Sequence, residues 1–321
     1  MPTIALLAPQ GSAATVFSEE HFTRIAASGT FVDARFTNQA DEVIGKLADV
    51  DIILSTWGMP VVDNAFITAV PNLKAIFYAA GTVKGFVTPT VWEHNITISS
   101  AAPANAVPVA EYTLGVILLS NKRFWSVKGK TQRVAMPGNY QRTIGIIGAS
   151  MVGREVIRLL KSYDLKVLLY DPFVNGDAAK SMGVRKVDLP TLMAESDVVS
   201  LHAPNLPELR HMLNADPFSR MKDGATFINT ARGALVDEAA LIAELQRGRI
   251  FAILDVTDPE PPVADSPFFT LPNVVYTPHI AGSLDQECHR MADFAISEME
   301  RFLAGEPLQN AIRHEALTHL A

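Results

Sequence analysis

The chain has 321 residues, 48% hydrophobic and 19% charged, which supplies enough apolar material for packed cores and argues against a disordered chain. At roughly 100–200 residues per domain, two domains are expected. Lysine and arginine total 27 against 34 aspartates and glutamates, and the net charge of −7 argues against nucleic acid or an anionic membrane as a partner.

The single cysteine, Cys288, excludes an internal disulfide and a multi-thiolate site, so no metal is expected and a reducing cytoplasm is the expected setting. The opening MPTIALLAPQGS has no basic residues before its short apolar run and reads as a first strand, not a signal peptide. The longest apolar stretch, Val107–Leu119, is interrupted by Glu111 and falls short of the roughly 20 residues a membrane span needs.

In chain order, β-branched apolar runs at Ile4–Ala8, Phe31–Phe36, Asp51–Ser55, Leu73–Tyr78 and Ile96–Ser99 predict strands. Helical patterns lie between them at Ser18–Ala27, Ala40–Leu47, Asp63–Val70 and Pro89–His94. Such alternation predicts right-handed βαβ units and a parallel sheet with helices on both faces. Ala101–Pro108, with two prolines, reads as a crossing between domains, followed by a long helix over Val109–Lys122 and a polar loop over Gly129–Arg142. A second alternating series has strands at Thr143–Gly148, Lys166–Tyr170, Asp197–Leu201, Ala225–Asn229, Ile250–Asp255 and Val274–Thr277. Its helices are expected at Met151–Tyr163, Leu189–Glu195 and Glu238–Arg247, and an amphipathic helix over Asp285–Ala304 closes the chain.

Four stretches carry chemistry. In Ile144-Gly145-Ile146-Ile147-Gly148-Ala149-Ser150-Met151-Val152-Gly153, a strand runs into a helix with Gly148 and Gly153 at the outer positions of a GxGxxG turn. Gly148 permits the tight turn, Gly153 close helix–strand packing, and the helix N-terminus offers N–H groups to a pyrophosphate. Ser150 stands where the middle glycine is usual, a place from which its hydroxyl can donate. Asp171 follows at close to the roughly 20 residues expected of an acid that binds the adenosine ribose, and it favours NAD over NADP by repelling a 2′-phosphate.

The other three stretches sit at strand ends, where ligands collect in open α/β sheets. Arg232, in Asn229-Thr230-Ala231-Arg232-Gly233, is a natural bidentate partner for a carboxylate. Glu260 follows Asp255 in a proline-stiffened loop, and His279 lies in Thr277-Pro278-His279-Ile280-Ala281. Singly, each reads as a surface ion pair, an acidic turn and an exposed histidine. Together they supply a carboxylate clamp, an acid/base and a carboxylate that favours the charged imidazole.

These strings, with Leu201-His202-Ala203-Pro204 and the Asn105…Ala110-Glu111 entry to the long helix, resemble the D-isomer-specific 2-hydroxyacid dehydrogenase family over nearly the whole chain. The resemblance implies a Rossmann NAD-binding domain, 103–283, inserted in a discontinuous flavodoxin-like α/β substrate domain, 1–102 plus 284–321. It implies that Arg232 holds the substrate carboxylate, that His279 is the acid/base paired with Glu260, and that Asp255 reaches the nicotinamide carboxamide. NAD contacts are then expected from Gly148, Ser150, Met151, Val152, Gly153, Asp171, His202, Ala203, Pro204, Thr230, Ala231, Asp255, His279 and Ala281. Substrate contacts are expected from Ala80, Gly81, Arg232 and Trp57. The implied reaction is hydride transfer between NAD(H) and a small 2-keto or 2-hydroxy acid, in a homodimer formed through the NAD domain.

Ser150, Leu206, Leu209, the Ala79–Lys84 stretch and the lack of a tryptophan-rich lead-in before Thr143 depart from the family's usual pattern. Glu260 favours the hydroxyacid branch over the formate branch, whose histidine pairs with glutamine. The sequence ends at residue 321 without an appended regulatory domain, so one of the longer phosphoglycerate dehydrogenases is not expected. The alternative is an NAD(H)-sensing, corepressor-like scaffold of the same fold with little turnover.

Overall fold

The computed structural model describes residues 1–127 and 136–319. The chain divides into two compact units, Met1–Asn105 with the segment from Ser283, and Ala106–Gly282. The first begins β1 (Thr3–Leu6), α1 (Gln10–Val16), α2 (Glu19–Ser28), β2 (Thr30–Asp33), β3 (Ile52–Ser55), α3 (Asn64–Ala69), β4 (Ala75–Tyr78), α4 (Thr90–Glu93) and β5 (Thr97–Ser100). Its five strands are parallel in the order β2-β1-β3-β4-β5, one of the two common doubly wound orders. Helices cover both faces of such a sheet, which is why β3 and β4 are buried throughout and read as unbroken apolar runs. Alternate residues feed two cores: Ile53 and Ile76 point to one face, Leu54 and Phe77 to the other.

The chain passes into the second unit along α5 (Ala102–Asn121). This corrects the expected crossing segment at Ala101–Pro108, because the helix begins seven residues before Val109. Pro103 lies in its first turn, where a missing N–H costs nothing, and only Pro108 removes an internal bond. With 20 residues and a mean hydropathy of 1.3, α5 is long and apolar enough to cross a membrane by length and composition. Its Ala110, Val116 and Ile117 are nonetheless core residues of the second unit.

After α5 come α6 (Phe124–Val127), β6 (Thr143–Ile147), α7 (Met151–Leu160), β7 (Lys166–Tyr170), α8 (Gly176–Met182), β8 (Arg185–Lys186), α9 (Leu189–Glu195) and β9 (Val198–Leu201). Then follow α10 (Ala215–Arg220), β10 (Thr226–Asn229), α11 (Glu238–Gln246), β11 (Phe251–Leu254) and β12 (Val274–Tyr276). The seven strands are parallel in the order β12-β11-β10-β9-β6-β7-β8. The order reverses between β6 and β9, the switch point of a Rossmann sheet. The last helix, α12 (Glu287–Leu303), belongs to the first unit and buries Met291, Ile296 and Met299 there.

Two further expectations change. Ala40–Leu47 is two single 3₁₀ turns, Ala40–Glu42 and Ile44–Lys46, with Gly45 inside the second. Of the loop expected over Gly129–Arg142, the part up to residue 135 lies outside the described residues.

Candidate active site

The glycine turn joins β6 to α7. Gly148 has φ +92, and a Cβ there would lie 2.7 Å from the backbone nitrogen of Ala203. A Cβ on Gly153 would lie 2.1 Å from the Gly148 carbonyl oxygen. Both glycines are therefore required by backbone packed against backbone, which leaves the start of α7 bare. Ser150 is the N-cap of α7, and its hydroxyl oxygen accepts from the Gly153 N–H at 3.3 Å. The serine hydrogen stays free to donate. Met151 is exposed at the helix start, and Val152 packs partly against the core.

Asp171 follows β7, and its carboxylate accepts from Ala149 N at 2.7 Å and Phe173 N at 2.8 Å. These bonds tie it to the glycine turn. His202 follows β9 but is buried, with its Nε2 2.8 Å from Ser200 Oγ. Burial pushes its imidazole down to about 3, so the ring is neutral. Ala203 backs the glycine turn, and Pro204 is half-buried.

β10, β11 and β12 are neighbours, and their C-terminal ends bring Arg232, Glu260 and His279 to one edge of one sheet. Asn229, buried at the end of β10, folds the Arg232 loop: its Oδ1 accepts from Ala231 N and its Nδ2 donates to the Arg232 carbonyl, both at 3.0 Å. Thr230 Oγ1 lies 3.3 Å from Thr113 Oγ1. Gly233 admits no side chain, because a Cβ would fall 1.9 Å from the Thr257 carbonyl carbon. The Arg232 guanidinium donates to the Ala231 carbonyl at 2.6 Å. Burial pulls its pKa down, and the Glu260 charge opposes that.

The Glu260 loop is held by Glu238, whose Oε1 accepts from Asp258 N at 2.8 Å, and by the Arg210–Asp258 ion pair at 2.8 Å. Burial pushes the Glu238 carboxyl up. His279 Nδ1 lies 2.6 Å from Glu260 Oε1. A carboxylate can only accept, so the proton of this bond sits on Nδ1 and Nε2 is the free nitrogen.

His279 has φ +54, a left-handed conformation uncommon for a non-glycine residue. Asp255 holds it there. Its carboxylate is buried and accepts from Thr277 Oγ1 at 2.6 Å, Ile280 N at 2.8 Å and Ala281 N at 2.9 Å. Tyr112, from α5, adds a hydroxyl contact to Thr277 Oγ1 at 3.0 Å. Asn229, Gly233, Glu238 and Tyr112 are site supports that sequence reasoning did not assign. The Asn229…Gly233 string was visible, but the loop-folding role of Asn229 was not.

Residues 119–281 match the family model described as D-isomer specific 2-hydroxyacid dehydrogenase, NAD binding domain. This chain belongs to the D-isomer specific 2-hydroxyacid dehydrogenase family. It is 33% identical over 303 residues to the D-3-phosphoglycerate dehydrogenase of Archaeoglobus fulgidus, covering 92% of this chain and 57% of that one. It is 30% identical over 311 residues to glyoxylate/hydroxypyruvate reductase B of Serratia proteamaculans, covering 93% and 94%. The structure of an acyclic imino acid reductase in complex with NADPH and D-Arg superposes with a TM-score of 0.77 at 25% identity, over 97% of this chain and 100% of that chain. The chain spans little more than half the length of the phosphoglycerate dehydrogenases it matches.

The family departures have structural places. Leu206 is buried and Leu209 packs against the second unit's core, so both serve packing. In the first unit, Trp57 follows β3 and Ala80 and Gly81 follow the adjacent β4. Thr56 Oγ1 donates to the Ala79 carbonyl at 2.9 Å and so ties the two loops together. Trp57 remains 39% exposed, which leaves its indole available for contact.

Proposed function

We propose that this chain is an NAD-dependent oxidoreductase that interconverts a small 2-keto acid and the D-2-hydroxy acid. The observation that carries the reading is the Glu260–His279 pair at 2.6 Å beside Arg232, on three neighbouring strand ends of a Rossmann sheet. The cofactor fits the chain by its backbone: the cradle between Gly148, Gly153 and Ala203 would be filled by any Cβ. Gly148 through Gly153 would hold the pyrophosphate and Asp171 the adenosine ribose. When bound, NAD supplies or accepts the hydride.

The chain's own residues do the rest. Arg232 binds and orients the carboxylate of the acid through its planar fork. Protonated His279 gives its Nε2 proton to the substrate carbonyl oxygen during reduction and takes it back during oxidation. Glu260 fixes the ring by its hydrogen bond to Nδ1. Asp255 positions the His279 loop. Ala80, Gly81 and Trp57 are assigned to the substrate as well, the first two through backbone N–H groups. The buried, unpaired Cys288 is in keeping with a reducing, cytoplasmic setting.

The test is steady-state turnover of a series of 2-keto acids with NADH and with NADPH. NADH is expected to give the higher kcat/KM, and Asp171→Ala is expected to narrow the difference by weakening NADH. Equal values for the two cofactors in the unaltered protein would contradict the assignment of Asp171.

A further inference from the structure

Two consecutive residues of α5 reach both loops of the candidate site. Ala110, Val116 and Ile117 of this helix share one core with Ile228 of β10 and Ile253 of β11, and Val275 of β12 packs against it. Side chains alternate along a strand, so Thr230, Asp255 and Thr277, each two residues further on, extend the same row past the strand ends. On α5, Tyr112 and Thr113 stand one turn before Val116 and Ile117. The apolar contact between helix and sheet thus continues as a polar one at the edge that carries Arg232 and His279.

The hydrogens of this polar contact have fixed places. A carboxylate only accepts, so Thr277 spends its one hydroxyl hydrogen on Asp255 Oδ1 at 2.6 Å. Tyr112 must then be the donor to Thr277 Oγ1, at 3.0 Å. Burial pushes the Tyr112 phenol up, against the effect of the Thr277 bond, which keeps it a donor. The Asp255 carboxylate also holds Ile280 N and Ala281 N, and the Asp255 backbone carbonyl accepts from His279 N at 3.0 Å. His279 is therefore tied to α5 through Asp255 and Thr277. Thr113 is wholly buried, and among the described residues its one side-chain hydrogen bond is to Thr230 Oγ1, at 3.3 Å. Thr230 lies between Asn229, which folds the loop, and Arg232, which the loop carries.

We propose that Tyr112 and Thr113 are positioning residues for the reaction, Tyr112 acting through Thr277 and Asp255 on His279, and Thr113 acting through Thr230 on Arg232. The helix is then the common support from which the acid/base and the carboxylate clamp take their spacing. This rests on the roles given to His279 and Arg232 above. Neither α5 residue is assigned a substrate contact; each acts through a loop. A misplacement of about 1 Å at a reacting group costs up to about 10²-fold in rate, so the loss of one hydroxyl bond behind each loop is enough to register in turnover.

The experiment is steady-state reduction of one keto acid at saturating NADH by the full chain and its variants. Tyr112→Phe removes only the hydroxyl and should lower kcat about threefold to tenfold, with KM for the keto acid held within about twofold. Thr113→Val should do the reverse, raising KM about threefold to tenfold with kcat held within about twofold. Thr113→Ser keeps a hydroxyl and should keep the KM of the unaltered protein. Thr277→Val removes the group that Tyr112 meets, so adding Tyr112→Phe to it should change kcat by less than about twofold. Variants that leave both constants unchanged, or that move kcat and KM alike, would overturn the positioning roles and leave the reaction standing. So would a Tyr112→Phe effect of undiminished size in the Thr277→Val protein. No turnover of any keto acid by the unaltered protein would overturn the proposed reaction, and these roles with it.

Discussion

Replacing His279 by alanine is expected to lower kcat for keto-acid reduction by about 10²–10⁴-fold, the usual contribution of a positioned acid/base. NADH affinity should be unchanged, because the glycine turn and Asp171 lie at the ends of β6 and β7, three or more strands from β12. The geometry sets the expectation. His279 Nδ1 is committed to Glu260 at 2.6 Å, so Nε2 is the one nitrogen free to move a proton. The backbone at His279 is left-handed, with φ +54, so alanine there brings a conformational cost as well. His279→Asn separates the two effects, since asparagine tolerates that backbone yet carries no titratable ring. Both variants should lose activity alike. A kcat for His279→Asn within a few-fold of the unaltered enzyme would mean that the imidazole does not move the proton.

The second large effect is expected at Arg232. Removing one partner of a desolvated, hydrogen-bonded charge pair costs about 2–5 kcal/mol. Arg232→Ala should therefore lower kcat/KM for the keto acid by about 30- to 5,000-fold, since the substrate carboxylate is left without its counter-charge. Arg232→Lys keeps the charge but loses the fork, and should recover only part of this. NADH affinity is again expected to hold. The check is kcat/KM for both variants with one keto acid. An Arg232→Lys enzyme as good as the original would show that charge alone, without bidentate geometry, is what the site uses.

What the sequence showed of this site followed from where the side chains are carried. Arg232, Glu260 and His279 each stand just past an apolar run long enough to be a strand, and parallel strands align their C-terminal ends. The sequence gives less about side chains that turn inward. Asp255 and His202 stand at similar strand ends, yet packing turns both into the protein, where Asp255 anchors the His279 loop and His202 bonds to Ser200. Nothing in their spacing distinguishes them from Arg232. Asn229 lies in a recognisable motif, but its two bonds to the following loop depend on a turn that pattern does not reveal.

The fold was legible for the same reason, though not in every short element. α1, α8 and α10, of seven, seven and six residues, have no counterpart in the sequence reading, whereas α3 and α9, of six and seven, do. The start of α5 was hidden by Pro103 and Pro108, which read as breaks although the first sits harmlessly in the opening turn.

The central claim, hydride transfer to a 2-keto acid directed by Arg232 and His279, is tested most directly by one labelling measurement. The chain is incubated with NADH carrying deuterium at the transferable position and the best of the keto acids, and the product is analysed for isotope and configuration. The account predicts a D-2-hydroxy acid with deuterium on the carbon that bears the hydroxyl. NADH that binds but is not consumed with any keto acid, or a product that is unlabelled or of L configuration, would contradict it.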